Sequence, residues 1–451
     1  MSTGTMTPEE LAAQVLTAVT DAGAQAAVTV SRESLSLTRF AESFIHQNVA
    51  DEADRVQLMV HVGGRTATVA GNRTTPESIA ALVGNALAAA ALRPVDETFP
   101  GLTGPAALTA AGNWDENTAW AEPVVRAEVV RAFVDAAGGL SCAGYCQTTS
   151  VTAAFANTAG QAVTGRSTQA SVDAVARTGR SDGAARTSAV AVSSVDGAVL
   201  GAAAAAKARA GVEQVDLPPG RYEVVLEPGA VSDLVSGLLW QGLNGKAVAE
   251  GRSFAALGQQ QFDAAVSLWD DSTDRQATGL PFDAEGTPRN RVDLVTGGVV
   301  TAIPHDRRTA AMCGSVTTGH AVPGGERWGA LPADVRMAAG GADDLVAGVE
   351  RGLLVSDFWY TRALDPKTLV YTGLTRNGVW LIEDGRLGPA VSTLRFTQSY
   401  VGALGPGAVL GVSRDLLSVP GGLAPMAGST GSLHVPSLRL ASWNITGGAA
   451  G

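Results

Sequence analysis

Side chains able to do chemistry are few in this chain, and they are spread along it. His305, Cys313 and His320 fall within one short stretch. Imidazole and thiolate are the usual zinc ligands, and a catalytic zinc site takes about three from the protein. No C-x-x-C or H-x-x-x-H pair ties these three together, so the favoured reading places them on separate strands and turns. An alternative metal site is the competing reading. Asp270, Asp271, Asp274, Asp283 and Glu285 form an acidic neighbourhood that could hold a hard cation. Solvated turn residues are the preferred reading, with Asp283 bonding to its own turn. His305-Asp306-Arg307-Arg308 reads as a salt-bridged surface turn, with a contact for a peptide carboxylate as the alternative. His46, in Phe44-Ile45-His46-Gln47-Asn48, has no His or Cys near it in sequence and reads as a strand-edge residue.

Nucleophilic and nucleotide chemistry find less support. Gly179-Arg180-Ser181-Asp182-Gly183 matches Gly-x-Ser-x-Gly, but no apolar strand precedes it and no clear helix follows, so it reads as a surface loop. Cys142 and Cys146 lie four residues apart. In an extended strand that is about 13 Å, beyond disulfide reach, and buried thiols on one face are expected. No Gly-x-Gly-x-x-Gly occurs, and the glycines near Lys246 lack P-loop spacing.

The elements that must position any site follow from length and pattern. A chain of 451 residues, 45% hydrophobic and 17% charged, is globular and long enough for two domains. A net charge of −11, without a Lys/Arg run, disfavours nucleic acid as a partner. The apolar helix-like stretches are shorter than the ~20 residues of a membrane span. The start carries no basic-then-apolar leader pattern, and three cysteines suit a reducing compartment. A cytoplasmic location without membrane association is therefore expected.

Thr7-Pro8-Glu9-Glu10 starts a helix running to about residue 22. Strands are expected at 26–31, 34–40, 55–62 and 65–70, the last two joined at Gly63-Gly64. Helices follow at 75–92 and 122–137, with a loop at 94–112 between them. Several short strands over 140–177 and a helix over 199–210 complete this half. Leu217-Pro218-Pro219-Gly220 is the strongest breaker and marks the expected boundary between domains 1–219 and 220–451. Beyond it come a strand over 221–226 and a helix over 230–243. Many short strands are then expected over 263–444, including 292–295, 368–372, 379–382 and 438–442. Turns are expected at Glu285-Gly286, Gly297-Gly298, Asn377-Gly378 and Asp384-Gly385. The fold class expected is α+β: an N-terminal α/β layer followed by a β-rich, barrel-like or sandwich-like domain.

After that boundary the chain carries Pro228-Gly229, then Gly242-Leu243-Asn244-Gly245. This frame resembles the TldD/PmbA metalloprotease family, whose catalytic members present His-Glu-x-x-x-His on a helix before Gly-Leu-x-Gly. Further blocks run in the family's order: Gly279-Leu-Pro-Phe-Asp-Ala-Glu-Gly-Thr-Pro288, Gly297-Gly298-Val299, Thr318-Gly319-His320, Asp344-Leu345, Arg351-Gly352-Leu353-Leu354-Val355, Leu381-Ile382-Glu383-Asp384-Gly385 and Val435-Pro436-Ser437-Leu438. The positions matching the two histidines and the glutamate are Ser236, Gln241 and Gly237. The family's C-terminal cysteine ligand aligns with Ala427.

Hydroxyl and amide are feeble zinc ligands, and a glycine cannot activate water. The resemblance therefore implies a TldE-type member with no catalytic residue, metal or cofactor of its own. It implies a TldD-like partner subunit holding zinc, and an unfolded or leader peptide as the molecule processed. An active metallopeptidase with a relocated site at His305, Cys313 and His320 is the alternative, as is a peptide-binding protein without a protease partner. A homodimer of the isolated chain is left open.

Overall fold

The computed structural model describes residues 6–20, 23–421 and 430–448. In the first half, six antiparallel strands form one sheet: β1 (Gln25–Ala41), β2 (Phe44–Val62), β3 (Arg65–Gly71), β4 (Ser141–Asn157), β5 (Ala162–Arg177) and β6 (Asp182–Ala189). Their order is β3-β2-β1-β4-β5-β6. Side chains alternate across a strand, so Val28, Val30 and Phe40 of β1 share a face with Cys142, Cys146 and Ala154 of β4. Four helices cover that face: Pro8–Thr20 and Pro76–Leu92 over β1–β3, and Pro123–Ala136 with Gly197–Ala210 over β4–β6. The opposite face, with Ala27, Thr29, Val151, Ala153 and Phe155, turns toward the second half.

The strands of this sheet are longer than expected. The two strands anticipated at 26–31 and 34–40 are one strand, β1. The several short strands over 140–177 are two long ones, β4 and β5. Polar residues interrupt the apolar alternation, but each is paired on both sides. Arg32, for example, lies opposite Asp54 of β2 and Thr152 of β4, and donates to Asp54 over 2.8 Å. Cys142 and Cys146 are free, buried and on one face. The Gly63-Gly64 hairpin forms as expected, with φ of 57° and 70°.

The second half is β-rich. Its longest strand, Ser432–Gly448, pairs with Asp334–Met337, Gly220–Leu226, Leu394–Ser399 and Val409–Pro420. Strand Gly220–Leu226 continues to Arg351–Asp365, then Val370–Glu383, then Leu394–Ser399, which returns to Ser432–Gly448. This ring closes a barrel, so these strands leave no open edge. Its interior holds stacked aromatics: Phe358 and Trp443 at 5.1 Å, Tyr371 and Tyr400 at 4.4 Å. The strands anticipated at 368–372 and 379–382 are one strand, Val370–Glu383. Asn377-Gly378, anticipated as a turn, lies inside it, with φ of 57° and 132° and a register shift near Asp357. That is a bulge rather than a hairpin. The true hairpin is at Asp384-Gly385, with Glu383 opposite Arg386. Among the described residues no helix is long and apolar enough to cross a membrane.

Candidate functional site

Pro228 opens a helix, Pro228–Gly237, directly after strand Gly220–Leu226, with the fixed φ that suits a first helical position. The helix then widens: Leu243 N–H donates to Leu238 O over 2.7 Å, a π turn spanning Leu238–Gly242. The single helix anticipated over 230–243 is thus a helix followed by a π turn. The widening carries the chain to Asn244, whose side chain accepts from Lys246 N–H at 2.9 Å and caps the next helix. A Cβ at Gly242 would collide with the ring of Phe254, so packing accounts for this glycine of the Gly-Leu-x-Gly frame.

Ser236 and Gly237 line a cleft of about 470 Å³ beside Asp233, Trp240, Asp357 and Tyr371. Ser236 Oγ is turned back along its own helix and donates to Ser232 O over 2.7 Å. Gln241 sits in the π turn and is half-buried. The space beside Gly237 is filled by tyrosines, since a Cβ there would be 2.9 Å from Tyr400 Cε2 and 3.1 Å from Tyr371 Cζ. Ala427 lies outside the described residues.

Asp233, one turn earlier, is an acid that sequence reasoning passed over. It accepts from Thr361 Oγ1 and Tyr400 OH, each at 2.7 Å. Burial raises its pKa against those two hydrogen bonds. The only sequence signal was its place on the apolar helix, polar among Val231, Leu234 and Val235. Beside it Asp357 is held by Arg186 Nη1 at 2.7 Å and Asn377 Nδ2 at 3.1 Å.

His305, Cys313 and His320 do not make a metal group. His305 Nδ1 lies 3.2 Å from Thr309 Oγ1, and His320 lies 2.8 Å from Thr318 Oγ1 and 3.1 Å from Asp270 Oδ2. Cys313 ends the separate helix Arg307–Cys313. Among the described residues no three or more His, Cys, Asp or Glu side chains gather as metal ligands would.

The acids expected in solvent are mostly buried. Asp270, Asp271 and Asp283 are 0%, 9% and 3% exposed. Their burial is made tolerable by backbone donors. Asp270 Oδ1 accepts from Ala333 and Asp334 N–H at 2.9 and 2.7 Å. Asp283 accepts from Glu285 and Thr287 in its own turn, as expected, and also from Ala321. Burial works to raise Asp270, but the His320 hydrogen bond and charge hold it below the ordinary value. Burial, with Asp270 nearby, pushes Asp334 up to about 7. Burial and the charge of Asp283 raise Glu285 as well.

His305-Asp306-Arg307-Arg308 is not an isolated surface turn. Asp306 Oδ1 caps the helix at Thr309 N–H over 2.7 Å, and Arg308 grips Asp96 with two contacts of 2.8 Å. Arg307 donates to Gly101 O and Pro100 O, so the group anchors the loop over 94–112. Ser181 Oγ is spent on Ala208 O and Thr178, which fits no nucleophile. His46 is exposed on β2.

The comparisons with known proteins agree with this frame. A sequence profile of the PmbA/TldA metallopeptidase C-terminal domain matches residues 219–447. The chain belongs to the PmbA/TldD metallopeptidase family. The matched segment of this PmbA/TldD chain contains the cleft, the barrel and the buried acids. No curated protein sequence matches. Among solved structures, TldE from Thermococcus kodakarensis is similar at a TM-score of 0.82 and 16% identity, covering 94% of this chain and 97% of that one. A putative modulator of a DNA gyrase from Thermotoga maritima is similar at 0.82 and 16% identity, covering 98% and 100%. One described likewise from Bacteroides thetaiotaomicron reaches 0.81 and 20% identity, covering 97% and 98%. At these identities the likeness is one of fold.

Proposed function

We propose that this chain is a TldE-type, non-catalytic subunit that pairs with a TldD-like, zinc-bearing chain of the same family. The pair would cleave unfolded or leader peptides in the cytoplasm, and the zinc would belong to the partner. One observation carries the reading: the helix where catalytic relatives present His-Glu-x-x-x-His offers Ser236, Gly237 and Gln241. The Ser236 hydroxyl is committed to Ser232 O, and tyrosines close the space beside Gly237. A zinc site needs neutral imidazole or anionic ligands and a group to take a proton from water. The residues present at the matching positions supply neither.

The roles left to this chain are shape and binding. We read residues 1–219 as one unit and 220–451 as another, with the open face of the first sheet roofed by loops of the second. Extended peptide main chain suits such a surface, because strand-like pairing needs no particular side chain.

The test is purification of the chain alone and with a zinc-bearing relative, followed by metal analysis and cleavage of an unstructured peptide. Co-purification, with zinc and cleavage only in the pair, is expected. Zinc-dependent cleavage by this chain alone would overturn the proposal. Such activity lost on His320→Ala would favour a relocated site, and a chain that finds no zinc-bearing partner would favour a peptide-binding protein acting alone.

A further inference from the structure

A groove runs between the open face of the first sheet and the loops of the second half. Its inner section, about 150 Å³, is walled by Val151, Ala153, Leu280 and Phe282 and reaches Arg289. It shares Thr29 and Val322 with a wider outer section of about 470 Å³, so the two are continuous. Most of the inner wall is apolar, and two charge-bearing groups are set into it: the guanidinium of Arg289 and the carboxyl of Asp283.

Arg289 is 8% exposed, and its Nε is buried with no hydrogen-bond partner. Among the described residues its guanidinium makes neither a hydrogen bond nor an ion pair. The acids closest to it electrically are already engaged by other donors. Asp283 takes the N–H groups of Glu285, Thr287 and Ala321, and Asp334 takes those of Thr278 and Gly279. Asp270 takes Ala333, Asp334 and His320. The other two buried arginines share an unpartnered Nε but keep protein acceptors for a terminal nitrogen, which Arg289 does not. Arg126 donates to Ala121 O and Thr148 Oγ1, and Arg336 to Asp274 and Gln276. A guanidinium carries five N–H donors, and burying them without acceptors is costly. A fold that keeps one so placed, at the end of an open groove, leaves its acceptor to come from a ligand.

We infer that Arg289 receives a carboxylate of a short, largely apolar peptide lying in this groove. The planar fork of a guanidinium matches the two oxygens of a carboxylate, which a single ammonium does not. The apolar walls suit aliphatic side chains next to that group, and exposed Arg55 at the rim adds a second positive charge. That the ligand is a peptide rests on the function proposed above; the unmet donors of Arg289 do not. The carboxylate is either the peptide's C-terminus or an acidic side chain.

The experiment is calorimetric titration of the isolated full-length chain with three acetylated tripeptides of Ala, Val and Leu character. One is the free acid, one the C-terminal amide, and one an amide with Glu replacing a residue. The free acid or the Glu amide is expected to bind about tenfold or more tighter than the plain amide, as loss of a charge-assisted bond pair implies. Whichever does so names the source of the carboxylate. Arg289→Met is expected to erase the preference and Arg289→Lys to keep part of it. Equal affinity for all three peptides, or no binding up to roughly millimolar concentration, would overturn the assignment. So would a folded Arg289→Met chain that still prefers the acid. If Arg289→Met fails to fold, the peptide comparison on the unsubstituted chain decides alone. Failure here leaves the partner-subunit reading standing, because co-purification tests that separately. A chain that prefers the acid yet finds no partner would sink the subunit reading and keep the Arg289 site.

Discussion

Gly237 faces the stacked tyrosines of the barrel, and a Cβ added there would lie 2.9 Å from Tyr400 Cε2. The stacked rings of Tyr371 and Tyr400 are buried, and Tyr400 OH is tied to Asp233 at 2.7 Å, so neither ring moves cheaply. Gly237→Ala is therefore expected to destabilise the chain by about 1–3 kcal/mol, the usual cost of overpacking, despite alanine's better helix propensity. Chemical denaturation measures it; an unchanged or raised midpoint would mean the tyrosines have room. Asp334 supports a second prediction. Its pKa is raised from 3.8 to about 7, first by burial and then by Asp270, so the folded state binds its proton more tightly than the unfolded chain does. Its stabilising contribution is complete below about pH 3.8 and fades as pH rises through about 7. Asp334→Asn cannot titrate, so its thermal midpoint relative to the unsubstituted protein should rise across that window, whatever the constant offset of the substitution. A difference flat with pH from 4 to 7 would contradict the assignment. Of the site itself, the helix that carries Ser236 and Gly237 was legible in the sequence, with Pro228 opening it. The burial of Asp270 and Asp283 was not, because their donors come from Ala321, Ala333 and Asp334, on loops distant in sequence.

Elements with local signals were read nearly to the residue. Thr75 caps the helix Pro76–Leu92 through Ser78 N–H, and Pro123 opens Pro123–Ala136, both as their residue types dictate. Elements fixed by partners were read short. β1 continues through Arg32 and Glu33 because β2 and β4 supply partners on either side, which no local pattern reveals. The segment 94–112 reads in sequence as a linker or surface loop, and it forms neither helix nor strand, but it is fastened. Arg308 clamps Asp96 with two contacts of 2.8 Å, and Arg307 reaches two of the loop's carbonyls. The Arg308 hydrogen bond, against a smaller burial effect, holds the Asp96 carboxyl well below the usual carboxylate range. A lowered pKa means that this stabilisation is present above about pH 4 and is lost on acidification. Asp96→Asn at neutral pH should cost about 1 kcal/mol, discounted for partial exposure. It should also speed limited proteolysis within 94–112, an effect that acidifying the unsubstituted chain would imitate. Cleavage at the unsubstituted rate would show that the clamp contributes nothing to order there.

At the scale of the whole molecule, two sheets with separate main cores are joined by a small apolar cluster, Ala153, Phe155 and Val163 against Phe282, and by polar contacts that sequence patterning could not foresee. Arg186 of β6 reaches Asp357 of the barrel at 2.7 Å, and Lys207 reaches Glu227 at 2.6 Å. Asn113 Nδ2 donates to Asp274 O and Ala277 O, and Gln169 Nε2 donates to Gly431 O. The first sheet is thereby covered on both faces, by helices on one and by the second half on the other. An antiparallel sheet usually leaves one face to water. Tyr400 and Thr361 fix Asp233, and Asn377 and Arg186 fix Asp357, so the wall of the cleft beside Ser236 and Gly237 draws on both halves. If these contacts couple the halves, calorimetry should show a single cooperative transition for the chain. Arg186→Met would then lower its stability by about 2 kcal/mol, because Asp357 would stay buried with only Asn377 as a side-chain partner. Two resolved transitions, with the first alone shifted by Arg186→Met, would instead mean that the halves unfold independently. The cleft would then be held by the barrel without help from the first sheet.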